Sequence, residues 1–236
     1  MIYEALDIQH VIDTVGRLKK RIDDRFPGSG LGRLAEHLLG VTHQASQRAR
    51  WIEQPIVRLR IGVWLLIASL LGAGGFLVVW LAARRTDFDL AEGVQMLDAG
   101  TSFVIVAGGG VYFLVSLERW IKRRRALQAI HELRSLAHII DMHQLTKDPE
   151  RLQKRWVITP NSPAQSITAF ELQRYLDYCS EMLSLIGKVA AIYSQPFDDE
   201  TALAAVNDVE TLTTGLSQKI WQKIMVLRTF ESKSLV

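Results

Sequence analysis

The chain has 236 residues with a net charge of +3, 48% hydrophobic and 22% charged residues, and a single cysteine, Cys179. One cysteine excludes an internal disulfide, and a lone thiol suits a reducing setting. The first 25 residues carry no apolar core of the kind a cleavable signal peptide needs, so insertion into a membrane would have to be directed from within the chain. The averages resemble those of a water-soluble protein, but the apolar residues gather in two blocks and the lysines and arginines crowd beside them. That distribution points to anionic headgroups before nucleic acid.

In chain order, Ile8, Val11, Ile12, Val15, Leu18 and Ile22 recur at helical spacing and predict a first amphipathic helix, which breaks at Pro27-Gly28-Ser29-Gly30. Leu31, Leu34, Leu38, Val41, Ala45, Ala49 and Ile52 predict a second, ending before Pro55. Gly28-x-Gly30-x-Gly32 follows a helix rather than a strand and lacks the lysine and hydroxyl residue of a phosphate loop, so it reads as a turn.

Ile61 to Ala83 is free of charge over 23 residues, roughly 34 Å as a helix and long enough to cross a bilayer, with Trp64 and Trp80 near its ends. A second uncharged stretch covers residues 99–117, with Trp120 following at headgroup depth. Arg48, Arg50, Arg58 and Arg60 precede the first stretch, and Arg119, Lys122, Arg123, Arg124, Arg125 and Arg134 follow the second. Between them Arg84 and Arg85 are set against Asp87, Asp89, Glu92 and Asp98. The basic bias predicts both termini on the cytoplasmic side and a short outer connection, in what compactness and charge suggest is a bacterial inner membrane. Ala68, Gly72 and Gly75 in the first span, and Gly100, Gly108, Gly109 and Gly110 in the second, are the small residues that let helices approach in lipid. They serve either a tight hairpin within the chain or contact between copies, and a homo-oligomer is expected.

The second span is expected to run on as a helix through Ala126, Ile130, Leu133, Ala137 and Ile140 to about Thr146. The proline-bearing stretch 149–166 reads as an irregular connection. Thr168-x-x-Glu171 is a capping box opening a helix to about Tyr193, and Asp198 or Asp199 caps a last helix with the stripe Val206, Val209, Leu212, Leu216, Ile220, Ile224 and Leu227. Trp156-Val157-Ile158 is too short to count as a strand. The expected fold is therefore all-α: N-terminal cytosolic helices over 1–58, a transmembrane helical hairpin over 59–120, and a C-terminal cytosolic helical domain over 121–236, the two tails forming one bundle.

Candidate chemistry is sparse. His131 and His138, with Asp141 and His143 close by, could hold a transition metal, with Glu171, Asp177 or Glu181 as further ligands. The segment has no HExxH, no Glu-x-x-His pair and no cysteine pair, which favours structural histidines, and no cofactor is predicted. Arg174 is placed to neutralise Asp177, and Cys179 lacks an adjacent base. Lys122, Arg123, Arg124 and Arg125 form a basic run suited to lipid headgroups.

Three functions compete. The first is a membrane-anchored helical scaffold that binds copies of itself or a cytosolic protein partner. The second is an oligomeric pore lined by residues such as Thr101 and Ser102, with acidic rings from Asp98 at its outer mouth and Glu118 at its inner one. The third is a membrane-bound metalloenzyme using the histidine segment. In layout alone (helical tail, two spans, long following helix) the chain resembles the SLATT-type predicted pore-forming effectors of bacterial conflict systems. That resemblance implies pore formation and carries over no residues.

Overall fold

A computed structural model describes residues 6–83, 90–152, 159–162, 167–195 and 198–234. Among the described residues six α-helices follow one another: α1 (Ile8–Arg25), α2 (Gly30–Glu53), α3 (Val57–Ala83), α4 (Leu90–Leu145), α5 (Ala169–Ile192) and α6 (Glu200–Ser234), with a 3-10 turn at Pro149–Leu152. No strand occurs among the described residues, and the fold is all-α. The chain forms two compact units. One combines residues 1–53 with 125–236, and the other spans 54–124.

The first unit is a helical bundle whose core is written in the apolar stripes. Leu18, Ile22, Leu31, Leu38, Leu133, Ile140, Leu176, Met182, Ile186 and Ile220 are all buried in one cluster. The core thus draws on all five helical segments of this unit: α1, α2, the last part of α4, α5 and α6. Burial of such side chains is the dominant favourable contribution, at about 1.5–3 kcal/mol each. At the C-terminal end of α1, Phe26 meets the ring of Tyr175 edge-on, centroids 5.6 Å apart, and so docks that end onto α5.

Local chemistry sets the helix ends. Asp7 Oδ1 accepts the Gln9 N–H at 2.8 Å and caps α1. The turn into α2 needs Gly28 at φ +69°, where a Cβ would be strained, and Ser29 then caps α2 by accepting the Gly32 N–H at 3.1 Å. Gly30 has a second role: a Cβ there would stand 2.7 Å from Cε1 of His143, so its hydrogen lets the end of α4 close on the start of α2. Asp199 caps α6 by accepting the Ala202 N–H at 3.0 Å.

The expected capping box is present at α5. Glu171 N–H donates to Thr168 Oγ1 at 3.2 Å, and Thr168 N–H donates to Glu171 Oε2 at 2.7 Å. That backbone N–H, with the Thr168 hydroxyl, holds the Glu171 carboxyl below the usual carboxylate range. A carboxyl depressed in the folded state stabilises above its unfolded pKa and loses that contribution as pH falls through its folded value. Acidification is therefore expected to lower amide protection in the first turn of α5, with no such acid step in Glu171→Gln. An identical acid profile for both proteins would refute this role.

The second unit holds α3 and the first part of α4. Among the described residues two helices are long and apolar enough to cross a membrane, and no residue in the apolar 18-residue window of either is buried. The helices outrun the uncharged stretches: α3 opens at Val57 and α4 at Leu90, ahead of positions 61 and 99. α4 is a single helix of 56 residues, continuing past the second apolar stretch to Leu145 as its sequence suggested. Arg84, Arg85, Asp87 and Asp89, which entered the orientation argument, lie outside the described residues, as do Trp156-Val157-Ile158 and the side chain of Glu92.

Candidate functional site

Glu118 organises the base of the apolar unit. Pro55 and Ile56 lead into α3, whose first N–H groups lack partners within the helix. Glu118 Oε1, from α4, accepts the Ile56 N–H at 3.2 Å. The same oxygen faces Lys122 Nζ at 3.1 Å, one turn along α4, and Oε2 faces Arg60 Nε at 3.8 Å. The carboxylate is 16% exposed. It ties α3 to α4 and has two cations as neighbours.

The other polar residues considered for a pore mouth, Asp98, Thr101 and Ser102, are exposed on α4. The glycine positions are open. A Cβ built at Gly72, Gly75, Gly100, Gly108 or Gly109 meets nothing within 4 Å, whereas at Gly110 it meets Leu66 Cδ2 at 3.7 Å. Ala68 is likewise exposed. Of these small residues, Gly110 is the one lying against the facing helix.

The basic run Lys122 to Arg125 divides by direction. Lys122 turns inward to Glu118 and is buried. Arg124 lies over Trp120, 5.4 Å from the ring centroid, and Arg125 lies over Trp51 at 3.8 Å. Arg123 is half-buried.

The histidine segment is spread rather than gathered. His131 and His138 project to solvent, Asp141 accepts the Gln144 Nε2–H at 2.6 Å, and His143 packs over Gly30. The further candidate ligands are engaged elsewhere: Glu171 in its capping box, Asp177 with Arg174 at 3.2 Å, and Glu181 with Arg21. Among the described residues no group of three or more histidine, cysteine, aspartate or glutamate side chains could hold one metal ion. Cys179 is fully buried, and burial pushes its thiol up to about 12, far from a reactive thiolate.

Two of the clefts on the bundle, neither legible in the sequence, have charged linings. One, of about 510 Å³, lies between α2 and α4 and is lined by Gln47, Arg48, Trp51, Arg125, Gln128 and Glu132 among others. Arg48 Nη1 donates to Glu132 Oε2 at 2.8 Å and its Nη2 to Gln44 Oε1 at 2.8 Å. Tyr193 is buried, and burial pushes its hydroxyl up to about 12 against the opposing pull of the Arg48 guanidinium; among the described residues that hydroxyl makes no hydrogen bond of normal geometry. The other cleft, of about 360 Å³, is lined by residues that include Asp141, Gln144, Asp148, Lys219 and Lys223. Lys223 Nζ donates to the Gln144 carbonyl at 2.9 Å and so ties α6 to the C-terminal end of α4. Burial lowers its pKa, against the opposing pull of Asp148 and Asp141.

A helical bundle joined in one chain to an apolar two-helix unit, with no metal-holding group of side chains among the described residues, is the class of protein these features define. Comparison with family models, curated proteins and solved structures finds no match to this chain.

Proposed function

We propose that the protein is a two-pass integral membrane protein whose hairpin anchors a cytoplasmic helical bundle, and that the bundle acts as an interaction module in an assembly of identical copies. The observation that carries the reading is the surface of α3 and α4. Leu71, Phe76, Val104, Ile105, Val106 and Phe113 are all exposed, and together they form an apolar surface of a kind that monomers in water rarely present. Lipid is the solvent that accepts it. The open glycines support assembly, because helices in lipid associate through small residues that allow close backbone approach. The basic flanks support cytoplasmic termini.

Reporter cysteines test the topology, and the native thiol does not interfere because Cys179 is fully buried. Gln9→Cys and Gln218→Cys are expected to react with a membrane-impermeant thiol reagent only after lysis, and Asp87→Cys in intact cells. The detergent-solubilised protein is expected to contain more than one copy by light scattering, and Gly72→Leu with Gly108→Leu to shift it towards monomer. Tail labelling in intact cells would overturn the orientation, and a monomeric wild type would overturn the assembly.

A further inference from the structure

Among the described residues Arg125 is a cation without an anion. Its guanidinium lies 3.8 Å from the centroid of the Trp51 ring, and among the described residues it makes no hydrogen bond or ion pair. The contrast with Arg48 in the same cleft is informative, since Arg48 is bound on both sides by Glu132 and Gln44. Two arginines against one glutamate leave the lining with a net charge of +1. Stacking on an indole restrains a guanidinium and leaves its N–H edge directed outward, a fork that matches two oxygens of one phosphate. The amides of Gln47 and Gln128 line the same cleft as neutral donors, and a volume of about 510 Å³ admits a headgroup-sized ligand.

We infer that the cleft between α2 and α4 is a phosphate-binding site in which Arg125, held over Trp51, is the principal ligand. Arg125 directly follows Arg124, the last residue of the apolar unit, and Ile52 stands two residues before its first, Gln54. If that unit is the membrane anchor proposed above, on which the choice of source rests, the most abundant phosphate available to the cleft is the phosphodiester of an anionic lipid. A soluble phosphate ester would offer the same chemistry.

The test uses the full chain in detergent and in nanodiscs of phosphatidylcholine with or without phosphatidylglycerol. Lipid retention is read by native mass spectrometry, and thermal protection by added inorganic phosphate is read in detergent. Wild type is expected to retain phosphatidylglycerol over phosphatidylcholine, and Arg125→Gln to reduce that preference about tenfold, the scale of losing a charged hydrogen bond. Trp51→Leu should weaken it by releasing the guanidinium, and Arg125→Lys should restore only part. Arg124→Gln, one residue away over Trp120, is expected to change it less than about twofold, because a surface charge contributes only generic attraction.

Equal losses from Arg124→Gln and Arg125→Gln would reduce the effect to that generic attraction and overturn the site. Arg125-dependent protection by inorganic phosphate, with no lipid preference, would uphold the site and assign it to a soluble ligand. No Arg125-dependent effect from either source, with the protein inserted and folded, overturns the site and leaves the anchor standing. Phosphate binding by a chain that stays dissolved without detergent would do the reverse.

Discussion

Replacing Leu71 and Ile105 with arginine is expected to remove most of the protein from the carbonate-resistant membrane fraction. Both side chains are highly exposed, at 72% and 68%. On a water-facing surface such substitutions change stability by no more than about 0.5 kcal/mol. At the centre of a bilayer-spanning helix each arginine costs roughly 2.5–3.5 kcal/mol, so the pair costs roughly 5–7 kcal/mol. The two solvents thus predict opposite results for one double variant. A doubly substituted protein that still pellets with membranes, or a wild type that stays in solution without detergent, would rule out the anchor.

The second large effect belongs to the bundle. Leu176 is fully buried on α5, and Leu176→Ala is expected to lower the stability of this unit by about 2–5 kcal/mol, a large part of a typical total of about 5–15 kcal/mol. Leu203, on α6 and 49% exposed, is the matched comparison, with Leu203→Ala expected to shift stability by no more than about 0.5 kcal/mol. Thermal melting followed by circular dichroism in detergent should separate the two variants clearly, while both still fractionate with membranes. Equal melting temperatures would show that α5 does not sit in the core described.

Helices of the bundle were legible because burial imposes a period. The stripe from Val206 to Leu227 on α6 faces the core, and Thr168 with Glu171 marks the start of α5 through a local interaction spanning three residues. Partnerships between distant residues were not legible. Arg48 meets Glu132 across 84 positions, and Arg21 meets Glu181 across 160. A stripe tells which side of a helix is covered but not which neighbour covers it. The same limit explains Glu118, which invited a reading as a free carboxylate at a channel mouth because nothing in the sequence ties it to Ile56. His143, drawn into a metal hypothesis by its neighbours in the chain, lies over Gly30 instead. His131 and Asp141 share a segment without sharing a partner, since helical spacing brings side chains near one another only when they also converge on a common point. The cleft at Trp51 and Arg125 could be found only once α2 and α4 were seen side by side.

The bond from the Ile56 amide to the Glu118 carboxylate joins positions 62 residues apart. While the ribosome is still threading that interval, the leading turn of the first hydrophobic helix has a polar group that its eventual acceptor cannot yet reach. Until residue 118 has been made, that N–H depends on solvent for an acceptor, so the start of α3 is completed only when α4 arrives.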